Sequence, residues 1–165
     1  LCFPVHVKNK SFDAVFCKYV NGQGNIKNFI VLNLLHIDRD VELAIEHARK
    51  RKIFGQTITH FQAKTFEAAD FYAKIESARL MLWKACWKMD QNKNFRQESS
   101  LAKYLTVEIA RKVTIWAADI FGAASVIGEH PIHKFPMDAW ASSLGEGTQD
   151  VQKLVIFREL MKKYR

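Results

Sequence analysis

Gln62-Ala-Lys-Thr-Phe66-Glu-Ala-Ala-Asp70-Phe-Tyr72-Ala-Lys-Ile75-Glu-Ser-Ala78-Arg79-Leu-Met-Leu82-Trp83-Lys-Ala85-Cys86-Trp87-Lys-Met89 is the stretch whose reading decides the fold. Phe61, Ala68, Ala69, Tyr72, Ile75, Ala78, Leu82, Ala85 and Met89 recur at helical intervals, the pattern of one long amphipathic helix. Trp83 and Trp87 stand four apart on a shared face, and with Trp116 they are expected in the core. From Gln56 to Phe121 the chain contains neither Gly nor Pro, which is hard to reconcile with the frequent turns of a multi-stranded sheet. A helix of about 30 residues would extend roughly 45 Å, a length suited to a bundle.

Working outward, the polar run Asp90 to Ser99 reads as a connection, with Ser99 or Ser100 capping the next helix. Leu105, Ile109, Val113, Trp116, Ala117 and Ile120 carry that helix's apolar stripe. Upstream, Phe29 to Arg51 is predicted helical, and its basic last turn complements the helix dipole. A last helix is expected after the cap Thr148, with Asp150 in its first turn and Val151, Leu154, Val155 and Met161 as apolar contacts. Gly122 to Gly147 holds four Gly and two Pro and reads as a functional loop. Phe12, Ala14 and Phe16 before Asn21-Gly22-Gln23-Gly24 suggest a strand and turn. The predicted fold is all-α, a four-helix up-and-down bundle over residues 28–165, preceded by a short segment, 1–27, with strand-like alternation.

The 165 residues suit one domain, and 48% hydrophobic content excludes a wholly disordered chain. No apolar run approaches the 18 to 20 residues of a membrane-spanning helix, so a soluble chain without a membrane span is expected. The net charge of +8 is scattered. Its densest cluster, Arg49-Lys50-Arg51-Lys52, reads as a solvated helix end rather than a nucleic-acid surface. Three cysteines without metal or redox spacing suit a reducing compartment. The chain begins Leu1-Cys2-Phe3 without a signal-peptide pattern and reads as a processed product or an excised fragment.

The sequence has no P-loop, dinucleotide-binding glycine pattern or nucleophile elbow. Glu129-His130-Pro131-Ile132-His133 lacks the helical four-residue His spacing, so it reads as a surface turn and no metal is expected. Mid-helix Cys86 reads as core. Gly145-Glu146-Gly147-Thr148 has two readings. It can present a carboxylate as a general base from a fixed turn beside a helix N-terminus, or it can be a capping turn with a solvated Glu.

Arg51-Lys-Ile-Phe54-Gly55, followed by Ile58, Phe61 and Gln62, resembles the Arg-x-x-Phe-Gly signature of the flavin-dependent acyl-CoA dehydrogenases. Further matches follow in order: Ala69-Asp70, Ile75-Glu76 with Arg79, Ile120-Phe121-Gly122, Pro131, Asp138-Ala139, and Glu146-Gly147-Thr148 with Gln152, Leu154, Val155 and Arg158. The similarity covers about Asn28 to Lys163 and corresponds to that family's C-terminal helical domain.

The resemblance implies an FAD-dependent oxidoreductase of fatty-acid metabolism. Glu146 would remove the α-proton of an acyl-CoA while the β-hydride passes to flavin, with Gly145 and Glu146 beside substrate. Arg51, Phe54 and Gln62 would face the FAD pyrophosphate, often a neighbouring subunit's. Asp119 and Gly122 would sit near that neighbour's adenosine, and Thr148 and Asp150 near the chain's own FAD. The implied partners are an electron-transfer flavoprotein and further copies of the chain as a dimer or tetramer. The implied compartment is the cytoplasm of a bacterium or the mitochondrial matrix of a eukaryote. Asp119 stands where a Gln is usual, Gly122-Ala123-Ala124-Ser125 replaces a more glycine-rich turn, Gly145 an aromatic, and Met137 an Arg. Family members carry an N-terminal helical domain and a β-domain before this bundle. The competing reading is a non-catalytic scaffold or oligomerisation module derived from the family.

Overall fold

The computed structural model describes residues 25–128 and 130–164. The elements in chain order are α1 (Asn25–Lys50), a two-stranded hairpin of β1 (Lys52–Ile53) and β2 (Gln56–Thr57), α2 (Gln62–Asp90), α3 (Arg96–Phe121), α4 (Phe135–Ser142) and α5 (Gln149–Met161). The strand-like segment before Asn25 lies outside the described residues. Among those described, no helix is long and apolar enough to cross a membrane.

α3 is the hub of an all-α arrangement, and α1, α2, α4 and α5 all pack against it. Ile30, Leu34, Ile37, Ala44 and Ala48 form the buried stripe of α1. Ile75, Ala78, Leu82 and Cys86 do the same for α2, and both stripes meet Ala102, Ile109, Ala110, Val113, Trp116, Ala117 and Ile120 of α3. α1 and α3 run in the same direction, since His47 near the end of α1 stacks on Phe121 at the end of α3, ring centroids 4.2 Å apart. α2 runs the other way: Lys88 near its end reaches Glu98 at the start of α3 at 2.6 Å, and Phe71 near its beginning packs on Trp116. Arg79 ties α2 to α1 by donating to both oxygens of Asp38, at 2.7 and 3.0 Å, and also to Glu76 in its own helix.

Several expectations change. Trp83 and Trp87 are exposed, 40% and 55%, whereas Trp116 is buried. The helical phase of the two is as read, but the face they share stays largely exposed, with Lys93 Nζ 4.7 Å from the Trp87 ring centroid. α3 begins a turn before Ser99 and Ser100, which are buried inside it, and Asn94 Oδ1 accepts from the Arg96 N–H instead. The Gly122–Gly147 region contains α4 and two short 3-10 turns, so it is largely helical. Thr148 does cap α5, its hydroxyl accepting from the Val151 N–H. The buried side chains of α5 are Gln149 and Gln152, while Val151, Leu154 and Met161 are exposed.

Candidate active site

The residues singled out in the sequence fall into two groups at opposite ends of α3. Glu146, Thr148 and Asp150 lie beside Lys103, near its start. Arg51 and Phe54 follow α1, whose end meets the end of α3 that carries Asp119 and Gly122. Lys103 and Asp119 are about 24 Å apart along the helix at 1.5 Å per residue.

At the first end, Glu146 and Gly147 take φ of 54° and 88°, in the left-handed region. For Glu this is uncommon and carries a cost, so neighbouring groups must hold it. Lys103 Nζ donates to the carbonyls of both Gly145 and Gly147. Gln152 Nε2, from α5, donates to the carbonyls of Glu146 and Gly147 at 3.3 and 3.4 Å. All three successive carbonyls are thereby turned inward, while the Glu146 residue itself is exposed. Lys103 is fully buried at 0% exposure. Burial pushes its ammonium below the ordinary lysine range, and the charge of Glu146 opposes that shift. Gln149, the first residue of α5, donates to the Tyr104 carbonyl at 3.1 Å and to Glu108 at 3.3 Å, which fixes the helix start that follows the turn.

At the other end, Lys52–Ile53 pairs antiparallel with Gln56–Thr57. The two residues between them, Phe54 and Gly55, have φ of 48° and 80°, as the tight primed turns of two-residue hairpins require. The Phe54 ring is 94% exposed at the tip. The Arg51 N–H donates to the His47 carbonyl at 2.8 Å, and its own carbonyl accepts from Ile58 at 3.1 Å, so the backbone is fixed while the residue stays exposed. No carboxylate among the described residues pairs with Arg51. His47 stacks on Phe121, His130 meets the same ring at a tilt, and the His47 imidazole is pushed below its ordinary range by burial, then by Arg51 and His130. Gly122 ends α3 at φ 60°, and a Cβ there would meet nothing within 4 Å. Gln62 is exposed at the start of α2.

This end suits a phosphate-bearing ligand with a planar ring system: a cation with no carboxylate partner among the described residues, a bare aromatic ring and an open glycine. The exposed Asp119, three residues before Gly122, opposes an anion there. Among the described residues no three His, Cys, Asp or Glu side chains are placed to hold a metal, and His130 instead caps the Pro131–His133 turn. Cys86 is buried in the core of α2.

The chain's sequence from residue 28 to 161 matches the model of the acyl-CoA dehydrogenase C-terminal domain. The chain belongs to this family. It is 38% identical over 120 residues to the caffeyl-CoA reductase–Etf complex subunit CarC of Acetobacterium woodii, covering 73% of this chain and 32% of that protein. It is 35% identical over 125 residues to the mitochondrial short-chain specific acyl-CoA dehydrogenase of Bos taurus, covering 76% and 30%. The butyryl-CoA dehydrogenase structure from Megasphaera elsdenii superposes with a TM-score of 0.79 at 29% identity, over 82% of this chain and 36% of that one. The chain thus spans about a third of the length of the curated relatives it matches.

Two acyl-CoA dehydrogenase domain residues escaped the sequence reading. Lys103 falls in a helical stretch where a lysine reads as solvated, and only its burial under the Glu146 turn gives it a role. Asp40 is 1% exposed with both carboxylate oxygens unpartnered among the described residues. Burial, and then the charge of Asp138, raise its pKa from 3.8 to about 8. No spacing rule could have marked either residue, because Lys103 is defined by the turn packed over it and Asp40 by the packing of α1 against α3 and α4.

Proposed function

We propose that this chain is the C-terminal part of an FAD-dependent acyl-CoA dehydrogenase, with Glu146 as the base that takes the α-proton of an acyl-CoA thioester. The observation that carries the reading is the outward-facing Glu146 on a turn whose carbonyls are tied inward by Lys103 and Gln152. A carboxylate that acts as a base must be held at one position and still be reachable, and this turn supplies both conditions. The thioester α-proton is too weakly acidic for a carboxylate unless donors stabilise the developing charge on the carbonyl oxygen. When bound, FAD supplies the acceptor for the β-hydride. Arg51 would hold the pyrophosphate of a flavin at the hairpin end, with Phe54, Gln62 and Gly122 around it, and Thr148 and Asp150 would meet a second flavin at the start of α5.

The separation of the two groups along α3 supports this division between two flavins, and so between two copies of the chain. Apolar side chains left bare on α2 and α5, among them Trp83, Trp87, Leu154 and Phe157, support self-association through these helices. Relatives named for an Etf complex and for mitochondria support an electron-transfer flavoprotein as partner, and the matrix or a bacterial cytoplasm as compartment. Asp119 and the side chains of Ala123 and Ala124 at the glycine turn favour the second reading, a scaffold that retains the helices without the flavin.

Flavin absorbance of the purified protein, alone and with acyl-CoA, tests the two. Bleaching by substrate, lost in Glu146→Gln with flavin retained, is the expected result. Bleaching unchanged in that variant overturns the assignment of the base. Colourless protein that still self-associates supports the scaffold.

A further inference from the structure

We propose that Lys103 is a positioning residue for the base, bridging the carbonyls of Gly145 and Gly147 so that the backbone between them presents Glu146. The inference rests on the reading of Glu146 as base and adds a residue that acts through it. Lys103 is fully buried in the hub helix. A buried ammonium is retained at a cost in solvation, and here it donates to two carbonyls of the turn. Three consecutive carbonyls converging on one side of a turn repel one another, and a cation set among them offsets that repulsion. Glu146 must also hold φ at 54°, a conformation that relaxes if the carbonyls on either side are released. Gln152 reaches the carbonyls of Glu146 and Gly147 from α5, so the turn is clamped between two helices. An error of about 1 Å in the position of a catalytic group costs about 100-fold in rate, which sets the expected effect of removing the clamp.

The experiment uses the complete, FAD-loaded protein. It measures steady-state kinetics together with the rate at which the substrate's α-hydrogen exchanges with solvent deuterium. Lys103→Met is expected to lower both kcat and exchange about 100-fold, with KM and flavin content unchanged. Lys103→Gln, whose amide can still donate to both carbonyls, should recover most of the loss. Gln152→Leu should act in the same direction to a smaller extent, and it decides the matter should Lys103→Met fail to fold. Unchanged exchange in the folded variants overturns the proposal. So does a joint loss of flavin, KM and kcat that Lys103→Gln does not rescue. A Glu146→Gln control separates the two readings. Exchange surviving in that control removes the base, whereas exchange lost there but intact in Lys103→Met removes only the role of Lys103.

Discussion

Phe54-Gly55 and Glu146-Gly147 are two turns of nearly the same backbone shape, each a non-glycine residue at φ near 50° followed by a glycine at 80° or 88°. They are held in different ways. The hairpin turn is closed by its own strand pairing, and its Phe54 ring is bare. The Glu146 turn has no strand to close it and is clamped by a buried lysine from α3 and a glutamine from α5. A residue that has only to offer a surface can sit on a self-closing turn. One that must meet a proton at a fixed point needs support from the core.

The largest effect expected to separate the turns is on the rate. Glu146→Gln should slow substrate-dependent flavin bleaching about 10²–10⁴-fold in stopped-flow measurements, the range for loss of a general base, while leaving flavin affinity unchanged. A loss of flavin in that variant would show that the two ends share one ligand. Asp40, on α1 between the turns, tests whether the middle of the molecule is independent of them. Folded Asp40 keeps its proton up to about pH 8, whereas its ordinary value is 3.8. Between those values the folded state binds more protons than the unfolded one, so stability present below that window is lost as pH rises through it. Asp40→Asn should flatten the dependence and stabilise the fold at pH 8 by several kcal/mol, read from denaturant melts across that range, with bleaching unchanged.

At the hairpin end, Arg51→Gln should weaken flavin binding about 10- to 100-fold, the worth of a charge-assisted hydrogen bond, in a flavin fluorescence titration. The smallest effect compares the glycines directly. An added Cβ at Gly55 meets nothing within 4 Å, whereas at Gly147 it meets Gln152 Nε2 at 3.1 Å and Val151 Cγ1 at 3.5 Å. Gly55→Ala should therefore cost about 1 kcal/mol of stability and Gly147→Ala about 2 kcal/mol, from thermal melts. Equal costs would mean that the clamp around Gly147 yields as readily as open solvent.

The long helices were legible in the sequence because periodicity and the absence of Gly and Pro report local geometry directly. Which faces those helices bury was less so. α2 and α3 are similarly long, yet α2 buries five residues and α3 fourteen, including Glu98, Lys103 and Thr114. A helix surrounded on several sides can bury polar groups that find partners there, and its sequence then looks half-solvated. Glu98 illustrates this. Burial alone would raise its carboxyl, but the Lys88 hydrogen bond, its own backbone N–H and the charges of Lys88 and Lys84 hold it below the usual range. Conversely, Trp83 and Trp87 look like core because periodicity marks a face without saying what covers it. Glu146, Arg51 and Thr148 are candidates that motif order marks. The clamp on Glu146 is not marked in that way, since it joins residues more than 40 positions apart in the chain.

α3 carries Lys103 toward one end and Asp119 with Gly122 at the other, so it acts as a ruler between the two candidate groups. Each residue inserted or deleted between them would shift the ends by 1.5 Å and rotate one against the other by about 100°. Single substitutions on its exposed positions, such as Arg111, Lys112 or Ile115, leave that phase intact. Over this span the sequence has freedom of composition and almost none of length.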